Sequence, residues 1–254
     1  MAPILEIKGV EKRFAGLKAL SNVNIEIEEG EIFGLIGPNG SGKTTLLNII
    51  TGFLKPTTGS ILYKGKPITG LSPNLIAERR IARTFQLISV FPDLTAEESI
   101  IVGSHLRTNG TIWGSFFHSR GYQKEEARLK RKAAEILALV GIQSHGPVRN
   151  FGPGEQKKLE IAIALATEPE LLLTDEPATG LNQTEAAELE HLIQLIHNMG
   201  ITLLIIEHNM QVIMRVCQRL AVLDFGVKIA DGTPKEIAQA QGVIKAYLGE
   251  SRNA

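Results

Sequence analysis

Gly37-Pro38-Asn39-Gly40-Ser41-Gly42-Lys43-Thr44-Thr45 fits the pattern G-x-x-x-x-G-K-[ST], which builds a phosphate-binding loop. A polyphosphate must be surrounded at short range by backbone N–H groups. Glycines at 37, 40 and 42 permit the backbone angles and the close approach that a Cβ would block. Lys43 brings a mobile positive charge to the β- and γ-phosphates, and the Thr44 hydroxyl is placed to ligate Mg²⁺. The flanks have the form the motif needs. Glu31-Ile32-Phe33-Gly34-Leu35-Ile36 reads as a strand running in, and Lys43 to Leu54 as a helix running out whose N-terminal dipole points at the anion. The loop therefore implies a nucleoside triphosphate ligand.

The bulk properties narrow the classes around this loop. At 254 residues the chain is long enough for one large domain or two intimate subdomains. Lys plus Arg and Asp plus Glu both number 27, so no global field draws the chain to nucleic acid or anionic lipid. The single cysteine, Cys217, rules out an internal disulfide framework and suits a reducing compartment. Met1 to Glu6 shows no secretory pattern, and nowhere do eighteen uncharged apolar residues run together, so no membrane span is expected.

Upstream of the loop, Ile4 to Lys8 and Val23 to Glu28 alternate apolar with polar residues, as half-buried antiparallel strands do. Lys12 to Gly16 between them reads as a loop. Its Phe14 could stack on a base, or sit in the core or on the surface. Downstream, Ile81 to Gln86 is strand-like and ends in an amide; on spacing Gln86 reads as a surface residue, with a metal-bound water as the other reading. Ala96 to Leu106 and Lys124 to Val140 look helical, the second with Leu129, Ala133, Ile136, Leu137 and Val140 on one face. Trp113, Phe116 and Phe117 between them form either a partner patch or a loop anchor.

Asn150 to Gln156 is a second glycine-containing turn feeding a helix, either an anion-facing terminus or a capped turn. Leu171-Leu172-Leu173-Thr174-Asp175-Glu176 is more specific. A continuous apolar run is the mark of a strand buried on both faces, and this one delivers two carboxylates at its carboxyl end, where open α/β sheets bind ligands. That position suits Asp175 to holding Mg²⁺ through water and Glu176 to orienting or deprotonating an attacking water. Ile201 to Ile206 is another buried strand, ending in Glu207-His208, and His208 could meet a γ-phosphate or serve as a cap. Met210, Ile213, Met214 and Cys217 share a helical spacing that makes Cys217 a core thiol.

In order and spacing these pieces resemble the ATP-binding subunit of an ABC transporter along nearly the whole chain. Gly37 to Thr44 match the Walker A motif, Leu171 to Glu176 the Walker B motif, Gln86 the Q-loop and His208 the switch histidine. The resemblance implies an α/β P-loop fold with a mixed, largely parallel core sheet, an N-terminal antiparallel β subdomain and a helical subdomain. The catalytic part would span about 1–86 and 168–250, the helical part about 87–167. It also implies ATP and Mg²⁺ as ligands, with Lys43, Glu176 and His208 catalytic. Thr44, Gln86 and Asp175 would serve the metal, and Phe14 would stack on adenine. Across a dimer, Gly152, Gly154 and Glu155 would face the nucleotide of the opposite subunit.

Arg83-Thr84-Phe85-Gln86, Glu207-His208-Asn209-Met210 and the stretch from Gly232 to Glu250 resemble the larger ATPase subunit of importers for branched-chain, hydrophobic amino acids. In that family two ATPases pair on the cytoplasmic face of two membrane permeases served by a solute-binding protein. The same engine could serve amides, urea or another organic solute. A soluble ABC ATPase acting on nucleic acid is weighed down by the neutral charge, the single nucleotide domain and the lack of coiled-coil arms. The chain also departs from the pattern. Phe151-Gly152-Pro153-Gly154-Glu155 stands where the family writes Leu-Ser-Gly-Gly-Gln, so a serine hydroxyl and, at Pro153, an N–H are missing. Asn182 stands where an aspartate is usual. The altered signature points towards pairing with a second, shorter ATPase as well as with itself.

Overall fold

A computed structural model of the chain describes residues 3–84, 92–104 and 120–248. Within them a six-stranded sheet has the order β10-β9-β3-β8-β7-β6. Its strands are β3 (Ile32–Ile36), β6 (Ile81–Arg83), β7 (Leu171–Asp175), β8 (Thr202–Ile206), β9 (Arg219–Asp224) and β10 (Val227–Gly232). All neighbours are parallel except β9 and β10, which form an antiparallel hairpin. The apolar runs are continuous because both faces are covered. Leu172, Leu203, Ile205, Leu220 and Val222 join one buried cluster, while Leu171, Leu173, Leu204, Ile206, Ala221 and Leu223 join another on the opposite face.

The second cluster is closed by a four-stranded antiparallel sheet of order β2-β1-β4-β5, made of β1 (Pro3–Phe14), β2 (Leu17–Glu28), β4 (Thr58–Tyr63) and β5 (Lys66–Pro67). Leu5, Ile7 and Val10 of β1 turn inward. The hairpin is longer than its sequence suggests. Lys12 to Phe14, expected in a loop, continue β1, with Arg13 paired to Lys18 and Phe14 to Leu17. Backbone pairing persists here beyond the last buried side chain, so the alternation that marks a strand is gone before the strand is.

The first cluster is covered by helices. These are α1 (Lys43–Ile50), α2 (Pro73–Glu78), α3 (Ala96–Gly103), α4 (Arg120–Val140), α5 (Pro153–Leu165), α6 (Gln183–Asn198), α7 (Met210–Val216), α8 (Pro234–Gln239) and α9 (Gln241–Leu248), of which α1 and α2 lie instead against the second cluster. Helix α1 stops short of the expected Leu54, with the Thr51 hydroxyl donating to the Leu47 carbonyl at 2.7 Å. At Gly52, in left-handed backbone, a Cβ would fall 2.3 Å from the Leu71 carbonyl oxygen. Helices α3, α4 and α5 pack on one another. Cys217 is buried as expected but lies just past the end of α7. No helix among the described residues is long and apolar enough to cross a membrane.

Candidate active site

The phosphate-loop residues, the two carboxylates and the histidine converge at the carboxyl ends of parallel strands. The loop leaves β3, Asp175 ends β7 with Glu176 following, and His208 follows β8. Arg83 ends β6 beside them. Since β7 and β8 run in register, Asp175 against Ile206, the turns after them are neighbours. Backbone bonding holds them there, with the Glu176 N–H donating to the Ile206 carbonyl at 2.8 Å.

Two glycines explain why the loop accepts no larger residue. A Cβ at Gly37 (φ +150°) would lie 2.1 Å from the Leu223 carbonyl oxygen, and one at Gly42 (φ +104°) 2.8 Å from that of Ala19. The loop is thus clamped between β9 and β2. A backbone clip reinforces this: Gly226 N–H donates to the Ser41 carbonyl at 2.9 Å, and the Gly226 carbonyl accepts from Ser21 N–H at 2.8 Å. Lys43 is buried and donates to the Gly37 and Pro38 carbonyls at 2.8 and 3.0 Å. Burial lowers its pKa from the usual lysine value, and the negative charges of Glu176 and Asp175 work against that shift. Pro38 is half-buried and Asn39, Gly40 and Thr44 are exposed along the rim, with Thr45 half-buried behind them.

Glu176 sits in left-handed backbone at φ +49°, a conformation that costs energy for a residue with a Cβ and is kept where the surroundings enforce it. Its Oε1 lies 3.4 Å from His208 Nδ1, and its Oε2 accepts from the Thr179 hydroxyl at 3.3 Å. A cavity of about 440 Å³ is lined by Thr44, Asp175, Glu176 and Thr179 together with Arg83, Thr84, Lys157 and Glu160. The Thr44 hydroxyl and the Asp175 carboxylate are hard oxygen donors that both line it, a set suited to Mg²⁺, which takes few protein ligands beside substrate phosphates. The buried Ser41 hydroxyl, which has no hydrogen-bond partner among the described residues, is a further polar group at the same loop.

The remaining expected site residues lie elsewhere or outside the described residues. Phe14 is 42% exposed at the tip of the β1–β2 hairpin, with the Lys12 ammonium 5.0 Å from its ring centre. Gly152, Gly154 and Glu155 begin α5 and are not among the residues lining the cavity, whereas Lys157 and Glu160 further along the helix are. Gly152 caps α5 with no side-chain bond, and Glu155 accepts from the Ser144 hydroxyl. Gln86 and the aromatic stretch Trp113, Phe116 and Phe117 lie outside the described residues. Asn182 caps α6, accepting from Thr184 and Glu185 N–H at 2.9 and 3.0 Å while Glu185 reaches back to its N–H. Asparagine and aspartate cap helices equally well, so the amide costs the helix nothing.

Three residues of the site were not singled out in the sequence. Glu207 is completely buried and accepts N–H bonds from Ala178, His208 and Asn209 at 2.7, 2.9 and 3.0 Å. One carboxylate therefore ties the turn after Glu176 to the turn carrying His208; an acidic residue directly after a buried apolar strand was the available signal. Arg83 donates to Asp175 Oδ2 at 2.9 Å. Tyr247 of α9, 37% exposed, is raised in pKa by the part of it that is buried, with the Gly37 backbone acting against the shift; nothing in the local sequence marks it.

Comparison with known proteins agrees with this geometry. The family model described as "ABC transporter" matches residues 20–179. The high-affinity branched-chain amino acid transport ATP-binding protein LivG of Escherichia coli (strain K12) is 39% identical, over 98% of this chain and 99% of its own. The ADP conformation of MJ1267, an ATP-binding cassette of an ABC transporter, superposes with a TM-score of 0.86 at 32% identity, covering 98% of this chain and 100% of that one. The dimeric structure of MJ0796, a bacterial ABC transporter cassette, superposes with a TM-score of 0.77 at 26% identity, over 91% and 98% of the two chains.

Proposed function

The chain belongs to the ABC transporter family and is an ATPase, and from that premise we propose that it powers an importer for branched-chain or other hydrophobic amino acids. The observation that carries this reading is the end-to-end likeness to LivG, which spans 98% of this chain and 99% of that protein. The dimeric form of MJ0796 supports a paired arrangement. In it two ATPase subunits sit on the cytoplasmic face of two permease subunits, peripheral to the membrane, with a solute-binding protein delivering cargo. Residues of about 1–86 and 168–250 form the catalytic part and about 87–167 the helical part.

The reaction is transfer of the γ-phosphoryl group of ATP to water, giving ADP and phosphate. Lys43 exchanges its bonds to the loop's own carbonyls for phosphate oxygens, and the cost of its burial is offset when that anion arrives. Thr44 and Asp175, with Gln86, would hold Mg²⁺, which would supply charge neutralisation to the phosphates. Glu176, held in place by its strained backbone and by Thr179, accepts a hydrogen bond from the attacking water and takes its proton. His208 stabilises the γ-phosphate, and its 3.4 Å approach to Glu176 keeps the two groups on one side of the reacting centre. Phe14 stacks on the adenine ring.

Reconstitution with the permeases and the binding protein in vesicles tests the reading. Leucine-stimulated ATP hydrolysis coupled to leucine uptake is expected, and stimulation by an amide or urea instead would reassign the cargo. In the same system Glu176→Gln should bind ATP and accumulate as a closed dimer with turnover reduced about 10²-fold or more, as loss of a general base does. Hydrolysis at the wild-type rate in that variant would overturn the role of Glu176.

A further inference from the structure

Arg83 stands at a junction that the mechanism above does not use. Its guanidinium is fork-shaped and permanently charged, and it is spent on two elements of the site at once. One nitrogen donates to Asp175 Oδ2 at 2.9 Å, at the end of β7, and another to Asn48 Oδ1 at 2.6 Å, on α1, the helix that carries Lys43 and Thr44. The side chains of Arg83 and Asp175 are 12% and 25% exposed, so the pair is screened far less than a surface ion pair. Parallel pairing with β7 fixes the base of Arg83, which lies opposite Leu173.

Asp175 is also the carboxylate placed to serve a divalent cation. A guanidinium on one of its oxygens and a cation drawn to the same carboxylate compete for the same negative charge, and they repel each other at short range. We propose that Arg83 is a positioning residue that acts as a built-in counter-ion of Asp175, setting how strongly Mg²⁺ enhances nucleotide binding. Its positive charge attracts the free nucleotide tetra-anion and opposes the cation. By joining Asp175 to Asn48 it also ties β7 to α1, so the carboxylate is held at the cavity that Thr44 also lines. The inference rests on the reading of Asp175 as a cation ligand.

The test compares nucleotide dissociation constants, measured by fluorescence of a labelled ATP analogue, in EDTA and in Mg²⁺. The quantity read is their ratio, which requires no turnover. In Arg83→Gln, binding in EDTA should weaken while binding in Mg²⁺ is retained or tightened, so the ratio rises about tenfold, the scale of one charge-assisted hydrogen bond. Arg83→Lys keeps the charge and should stay within about threefold of wild type, as one ammonium donor can still reach the carboxylate. Asn48→Ala frees one arm of the fork without touching the charge and should move the ratio the same way by a smaller factor; it also serves if Arg83→Gln does not fold. A side chain that merely supports the structure would weaken both constants together, and a ratio unchanged in Arg83→Gln and Asn48→Ala overturns the inference. Asp175→Asn separates the two layers. If the Mg²⁺ enhancement survives it, the cation reading of Asp175 falls and this inference with it; if the enhancement is lost there yet unchanged in the Arg83 variant, the inference alone falls.

Discussion

At the scale of single residues, the site concentrates groups that stability alone would not choose. Lys43 is a buried ammonium whose pKa is lowered by desolvation, and Glu176 holds a left-handed backbone without being glycine. Both costs are carried by the ligand-free protein, and in the proposed mechanism they are returned when phosphate and water engage these groups. Lys43→Met should therefore raise the melting temperature of the nucleotide-free protein by about 2 °C while abolishing ATP binding. The sign with pH follows from linkage. The folded pKa of Lys43 lies below the unfolded one, so its penalty is complete below the folded value and fades as pH rises through the window up to the ordinary lysine value. The advantage of the methionine variant should shrink across that window, which calorimetry at stepped alkaline pH would show. A variant less stable than wild type at neutral pH would mean that the bonds to the Gly37 and Pro38 carbonyls outweigh the burial.

At the scale of elements, close approach of strand and helix decides how firmly the loop is seated. Gly34 lies in the middle of β3, one turn of chain before the loop, and a Cβ there would fall 2.4 Å from Leu220 Cδ2, 3.0 Å from Cys217 Sγ and 3.1 Å from Ile213 Cγ1. Strand β3 is thus pressed against β9 and the end of α7 with no room to spare. Burial pushes the Cys217 thiol well above its usual pKa, with the Glu31 charge adding to the shift, so the thiol is inert in the native protein. Gly34→Ala is expected to cost about 2 kcal/mol through overpacking. Its melting temperature should fall by about 5 °C and alkylation of Cys217 should quicken. An unchanged alkylation rate and melting temperature would show that the helix end yields more easily than the packing suggests.

At the scale of the whole molecule, the residues proposed as catalytic gather at the carboxyl edge of the sheet, while the turn proposed to meet an opposing nucleotide opens α5 and does not line the cavity. Gly152 gives α5 no side-chain cap and Pro153 no N–H, so in the proposed pairing this chain would offer a partner's nucleotide Gly154 and the remaining helix amides. Pairing with a second ATPase that carries a serine in this turn would complete one site better than the other. Purified alone, the chain should bind ATP but hydrolyse it about tenfold or more slowly than the mixed pair, given that one lost oxyanion or phosphate donor costs about two orders of magnitude elsewhere. Robust, cooperative hydrolysis by the isolated chain would show that its own turns suffice.

The sequence alone determined the loop, the buried strands and the carboxylates at their ends, because these signals are local. A phosphate loop needs its glycines and lysine at fixed spacing, and a strand covered on both faces needs an unbroken apolar run. Glu207, Arg83 and Tyr247 became legible only in the tertiary structure. Each works through a partner far along the chain: Glu207 on Ala178, Arg83 on Asp175 and Asn48, Tyr247 on Gly37. The end of β1 was hidden for a related reason, since backbone pairing with β2 carries it past the last inward side chain. Periodicity records which way a side chain faces, whereas strand order decides which side chains meet. Here that order, with β7 between β6 and β8, brings one arginine, two carboxylates and a histidine to a common edge.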